Sequence, residues 1–123
     1  MIAIIDYGFG NLRSVSKALS LLSINSKITD SRQEIQDASA IIFPGVGSFG
    51  DCIKNLNDKD IIKPIKDSIK SGKPFLGICL GLQILFDSSE ESPGSKGLSL
   101  LDGSIDKIQF ESNNLKVPHM GWN

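Results

Sequence analysis

The chain opens on an apolar run, Met1 to Ile5, that ends in Asp6 and a glycine-rich turn, Tyr7-Gly8-Phe9-Gly10-Asn11. Such a density of branched apolar residues predicts a short strand. The spacing then changes. Leu12, Val15, Ala18, Leu19 and Leu22 fall at three- and four-residue steps, the pattern of a helix face, with Asn11 as its N-cap. "INSKIT" predicts a weaker second strand. Ala40 to Phe43 predicts a third, expected to stop at Pro44, which has no N–H for a ladder. Residues 51–71 predict one or two helices, with Pro64 near the start of the second and "SGKP" as the stop. "PFLGI" is apolar without interruption, which predicts a fourth strand covered on both faces. "LGLQILF" returns to helical spacing. Alternation of strand and helix through residue 87 predicts an α/β fold: an open, mostly parallel sheet with helices on both faces. Beyond a polar loop at 87–97, "SIDKIQF" alternates like a half-exposed strand. No repeat or low-complexity tract interrupts the chain, and residues 1–123 read as a single domain.

Composition narrows the function classes. With 40% hydrophobic residues, 22% charged residues and a net charge of -1, the chain has the profile of an ordinary globular domain. The balance of charge argues against nucleic acid or a membrane surface as the main partner. No apolar run approaches the roughly 20 residues of a membrane span. Ile2 to Ile5 is too short for a signal-peptide core, and no basic segment precedes it. A cytoplasmic location is therefore expected, with Cys52 and Cys79 as free thiols. No Cys/His cluster has ligand spacing, so neither a metal nor another cofactor is expected.

Chemistry enters at Gly77-Ile78-Cys79-Leu80-Gly81. A buried cysteine used for packing is common, and Cys52, just inside a predicted helix, reads that way. Cys79 differs in its flanks. With 12 glycines in 123 residues, glycine at both flanking positions arises by chance about once in a hundred cysteines. It also sits where a buried strand gives way to a helix. A nucleophile on that turn carries strained backbone angles, and close packing demands small neighbours on both sides. The helix N-terminus beside it favours an anion. The N–H of Leu80, the residue after the nucleophile, is the expected first oxyanion donor. A second donor must come from another strand end, because reactive groups in an open parallel sheet collect at the carboxyl ends of strands. Pro44-Gly45-Val46-Gly47 lies there, and its glycines let backbone amides approach a substrate closely or flip.

"GICLGLQ" and "PGVGSFGD" together resemble the class I, triad-type glutamine amidotransferases. "IAIIDYGFGNLRSV" and "VPHMGWN" narrow the resemblance to the branch that supplies ammonia to imidazole glycerol phosphate synthesis in the histidine pathway. The four motifs run in order from Met1 to Asn123. The resemblance implies a flavodoxin-like fold. It implies that Cys79 attacks the side-chain amide of glutamine, releasing ammonia and leaving a glutamyl thioester. Val46 would be the second oxyanion donor, with Gly45 and Gly47 beside the substrate. Gln83 and Glu91 would hold the bound glutamine. Taken without the resemblance, both are ordinary solvated side chains. The implied partner is a cyclase subunit, a (β/α)8 barrel that receives the ammonia. Asn11, Pro118, His119, Met120, Gly121, Trp122 and Asn123 would face it, with Trp122 as a gate; a core aromatic is the other reading of Trp122.

The family's base is a histidine followed two residues later by a glutamate. This chain has one histidine, His119, followed by Met120 and Gly121. The family pattern therefore implies that residues 1–123 are the N-terminal part of a longer subunit, truncated before that pair and inactive alone. Two alternatives stay open: a non-catalytic docking fragment, and a glutaminase serving a sugar-amidating enzyme of surface-polysaccharide synthesis.

Overall fold

A computed structural model describes residues 1–112 and 114–122. Four strands form one parallel sheet: β1 (Ile2–Ile5), β2 (Ser26–Thr29), β3 (Ala40–Gly45) and β4 (Phe75–Cys79), in the order β2-β1-β3-β4. The order steps outward in both directions from β1, so the chain reverses direction across the sheet beside the β1–β3 pair. Ligand sites of open α/β sheets gather at such a reversal, past the strands' carboxyl ends.

Helix α1 (Leu12–Leu21) joins β1 to β2. Its inward face is only half-buried at Leu12, Val15 and Leu19, while Ala18 and Leu22, counted on that face by their spacing, are exposed. Asn11 does occupy the N-cap, but its side chain makes no cap hydrogen bond. Helix α2 (Arg32–Asp37) was not expected from the periodicity. It begins at a local device instead: the Ser31 hydroxyl accepts from the Glu34 N–H at 3.4 Å. The Glu34 carboxylate accepts from Thr29 Oγ1 and Lys27 Nζ, and Thr29 Oγ1 in turn accepts from the Ser31 N–H at 3.0 Å. The stretch 51–71 resolves into two helices, α3 (Phe49–Asp58) and α4 (Ile62–Lys70), separated at Asp60, whose φ is +53°. Pro64 sits in the first turn of α4, where a missing N–H costs nothing. The expected stop closes α4: Gly72, at φ +86°, follows it, and the Lys73 N–H donates to Ser68 O.

The core lies on one face of the sheet. Ile5, Ile41 and Phe43 meet Ile35 of α2, Leu56 of α3 and Ile65 of α4, all fully or almost fully buried. Each such side chain is worth about 1.5–3 kcal/mol of burial. Helix α1 packs on β1 and β2 from the other side. The helices thus flank the sheet, but unequally.

Three expectations change. Pro44 does not end the third strand: β3 continues to Gly45, paired with Cys79. The Ile41 N–H donates to Pro74 O on the β4 side, so even-numbered residues of β3 point their nitrogens toward β1. The β1–β3 ladder ends at Ile4–Ile42, just where Pro44 could not have donated, while the β3–β4 ladder on the other side runs on to Gly45–Cys79 without needing a Pro44 N–H. The fourth strand is not covered on both faces. β4 is an edge strand, and Leu76 and Ile78 are 53% and 42% exposed on the face shared with Ile42 and Pro44, beyond the reach of α1. "SIDKIQF" is a strand only at Ser104–Ile105 (β6), which pairs in parallel with Ser88–Ser89 (β5) inside the polar loop. The helix after β4, α5 (Leu80–Gln83), has four residues before it loosens into turns.

Candidate active site

Cys79 ends β4 and is at once the N-cap of α5, with φ +55° and ψ -112°. A left-handed φ on a residue with a side chain costs about 1–2 kcal/mol, and such strain persists only where neighbours over-determine it. The neighbours are close. A Cβ on Gly77 would lie 2.5 Å from Gly81 O, and one on Gly81 would lie 1.9 Å from Phe43 O. A Cβ on Gly45 would meet Gly81 N and Leu80 Cβ, both at 2.7 Å. Three glycines from two adjacent strands and the following helix therefore form one tightly packed turn, and only the thiol projects from it. Cys79 is exposed and Leu80 is buried. The expected help from a helix N-terminus is weak, because α5 is a single turn and a macrodipole needs length.

Cys52 has the opposite surroundings. It is buried in α3, and burial pushes its thiol up to about 12. It stays a neutral packing group, as its position in the sequence suggested.

The glycine-rich segment after β3 runs beside this turn. Gly45 is buried, Val46 is 54% exposed, and Gly47 has φ +100° with nothing within 4 Å of an added Cβ. Ser48 then caps α3, its hydroxyl accepting from the Asp51 N–H at 3.1 Å. The expected oxyanion donor of this segment is engaged elsewhere. The Val46 N–H donates to Tyr7 Oη at 2.9 Å, and the same hydroxyl donates to Val46 O at 2.8 Å. Tyr7 is 1% exposed and its ring stacks on Phe43 at 5.2 Å. Burial raises its pKa against the opposing bond from Val46, so the phenol keeps the proton that lets it donate.

Gln83 and Glu91 come together in the fold. Both line an open cleft of about 490 Å³ with Ser89, Glu90, Ile105, Asp106 and Lys107. Cys79 lies four residues before Gln83 but is not part of that lining. The polar loop is pinned to the site: the Gly50 N–H of α3 donates to Ser92 Oγ at 2.9 Å, and the Lys107 N–H donates to Glu90 Oε1 at 2.6 Å.

The segment expected to face a partner stands apart. Pro118, His119 and Met120 line a second cavity with Phe110, Leu115 and Lys116, and neither Cys79 nor Val46 is part of that lining. Met120 is 84% exposed and Trp122 fully so. Asn11 is exposed at the first strand-to-helix turn, and Asn123 lies outside the described residues. Among the described residues no group of three or more His, Cys, Asp and Glu could hold a metal, and no helix is long and apolar enough to cross a membrane.

Sequence reasoning missed Tyr7, Ser92 and Lys107. Tyr7 had one available signal, its place just past the carboxyl end of the central strand. The other two follow only from how the polar loop folds back.

The family profile described as glutamine amidotransferase class-I matches residues 3–123. The chain belongs to the class-I glutamine amidotransferase family. It is 51% identical over 123 residues to the imidazole glycerol phosphate synthase subunit HisH of Gloeothece citriformis, covering 100% of this chain and 57% of that one. It is 50% identical to the subunit of the same name in Halalkalibacterium halodurans and 48% identical to that of Bacillus subtilis, covering 59% of each. The chain thus spans somewhat under three-fifths of the length of these curated relatives. Among solved structures, one described as a glutamine amidotransferase superposes with a TM-score of 0.74 at 20% identity, over 92% of this chain and 60% of that chain. That likeness speaks for the fold alone.

Proposed function

We propose that this chain carries the nucleophile and substrate-contact half of the glutaminase subunit of an imidazole glycerol phosphate synthase. The observation that carries the proposal is Cys79 at φ +55°, presented at the end of β4 by a turn too crowded for any side chain but its own. Relatives near 50% identity that bear the name of that subunit support the pathway over a sugar-amidating role.

In this reading the Cys79 sulfur attacks the side-chain carbonyl carbon of glutamine. The C–N bond breaks, ammonia leaves, and a glutamyl thioester remains for water to hydrolyse. The Leu80 N–H and the Val46 N–H stabilise the oxyanion of the tetrahedral intermediate. Gly45 and Gly47 leave space beside it. Gln83 and Glu91, on one cleft next to the elbow, hold the amino-acid end of the substrate. Ammonia then passes to a cyclase subunit, a (β/α)8 barrel, against which Asn11 and the segment 118–123 dock. The wholly exposed Trp122 suits an interface better than a core.

The test is glutamine-protected labelling. A chloroketone analogue of glutamine is expected to modify Cys79 much faster than chloroacetone does, with excess glutamine slowing it. Equal rates for the two reagents, or no protection, would overturn the assignment.

A further inference from the structure

We propose that the Tyr7 hydroxyl is a latch on the glycine-rich segment after β3, holding the Val46 N–H away from the reacting sulfur until the segment is released. The proposal rests on the glutaminase reading of Cys79.

The geometry is that of a two-point clamp. One oxygen accepts from the Val46 N–H at 2.9 Å and donates to Val46 O at 2.8 Å. These groups belong to two successive peptide units, so a single hydroxyl fixes the backbone on both sides of the Val46 Cα. An N–H so engaged cannot also stabilise an oxyanion. The clamp is anchored by packing: the Tyr7 ring is fully buried, is stacked on Phe43 and lies 6.3 Å from the Phe9 ring. The clamped segment is built to move. Val46 is 54% exposed, so water can replace both bonds on release. Gly47 follows with φ +100° and open space around it, a hinge at which the backbone can turn without a side chain to carry. A small cavity of about 50 Å³, lined by Tyr7, Phe9, Val46, Gly47, Ser48, Asp51 and Cys52, lies at the clamp. Tyr7 is therefore a positioning residue, acting on the oxyanion through Val46 without touching the substrate.

Release is a population shift. Losing one hydrogen bond near the lower end of the ordinary range changes an equilibrium about threefold, so removing both bonds of the clamp is expected to raise the released population about tenfold.

The experiment uses the chain, wild type and Tyr7→Phe, which keeps the buried ring and removes one oxygen. Cys79 labelling is timed by mass spectrometry with iodoacetamide, which needs no oxyanion donor, and with the chloroketone analogue of glutamine, whose carbonyl does. A latch predicts that Tyr7→Phe speeds the chloroketone about tenfold and leaves iodoacetamide within twofold. A chloroketone rate that is unchanged, or that falls together with the iodoacetamide rate, overturns the latch. A second measurement needs no variant. In the wild-type chain the Val46 amide signal in the ¹⁵N–¹H spectrum must shift when the chloroketone adduct forms, and an unmoved signal also overturns the latch. Failure of the glutaminase reading looks different: the chloroketone then matches chloroacetone in both chains.

Discussion

Gly81→Ala tests whether the elbow is held by backbone packing. The added Cβ would stand 1.9 Å from Phe43 O, 2.9 Å from Phe43 C and 3.0 Å from Phe43 Cδ1. A carbon and a carbonyl oxygen in contact need about 3.3 Å, so the two backbones must part by more than 1 Å. Neither partner is the tip of a flexible side chain. Phe43 lies mid-strand in β3, and α5 follows directly from β4, which pairs with β3 at five positions. Overpacking costs typically 1–3 kcal/mol, and a clash between two backbones belongs at the upper end, about 3 kcal/mol. That is a large share of the roughly 5–15 kcal/mol that stabilises a domain. Gly72→Ala is the control. Its φ is +86° but nothing lies within 4 Å of the added carbon, so only the conformational cost of about 1 kcal/mol applies. Urea unfolding at neutral pH measures both. A loss at Gly81→Ala no greater than at Gly72→Ala would refute the packing argument for the elbow.

The buried thiol predicts an alkaline limb. Cys52 titrates near 12 when folded against an ordinary 9.0, so the folded state holds a proton that the unfolded state has lost. Stability is then full below about pH 9 and falls as pH rises toward 12, by about 1.4 kcal/mol per unit at the steepest. Urea unfolding of Cys52→Ala between pH 8 and 10.5 should show a flatter limb, and equal slopes would refute it. At the acid end, Lys27 and then Thr29 hold the Glu34 carboxyl below its usual range, so its contribution is present above that range and fades as pH falls through the folded value. Glu34→Gln should flatten the acid limb of a thermal-melt series; superimposable limbs would refute the assignment. Ser31→Ala should cost about 1 kcal/mol by removing the α2 cap, read by the same denaturation; no loss means the cap is idle. Finally, purified 1–123 should release no ammonia from glutamine, since the histidine-x-glutamate pair of the family pattern is absent from its sequence. Ammonia release abolished by Cys79→Ser would show that a base is present after all.

The periodic parts of the chain were legible. β1 and β3 were readable because one or both faces of each are buried, and burial writes itself into spacing; α1 was readable from the helical steps of a face that is only half-buried at Leu12, Val15 and Leu19. Helix α2 was not, because only Ile35 within it is buried and its start depends on Ser31, Glu34 and Thr29 acting together. The signal was present as Ser31-x-x-Glu34, a capping pattern, though here the Glu34 side chain reaches Thr29 and Lys27 rather than the Ser31 N–H. Pro44 misled because the rule against proline in strands is a rule about donors. It ends the ladder only on the side the missing N–H would have faced, and β3 goes on because its pairing with β4 does not use that nitrogen. β4 misled for the reverse reason: unbroken apolarity shows that a strand can be covered, not that it is.

The elbow and the segment beside it were legible to different depths, and the difference is physical. Gly77, Cys79 and Gly81 declare themselves because the constraint on them is steric, and steric constraints restrict residue type. The state of Val46 could not be read, because its constraint is a hydrogen bond from its backbone, which any residue at 46 could make. What selects that state is Tyr7, thirty-nine positions away. It is placed there by the parallel pairing of β1 with β3 and by a ring packed on Phe43. A sequence motif can therefore mark where an oxyanion would be received while leaving open whether the donor is turned toward it. That second question belongs to a residue outside the motif, and only the fold brings the two together.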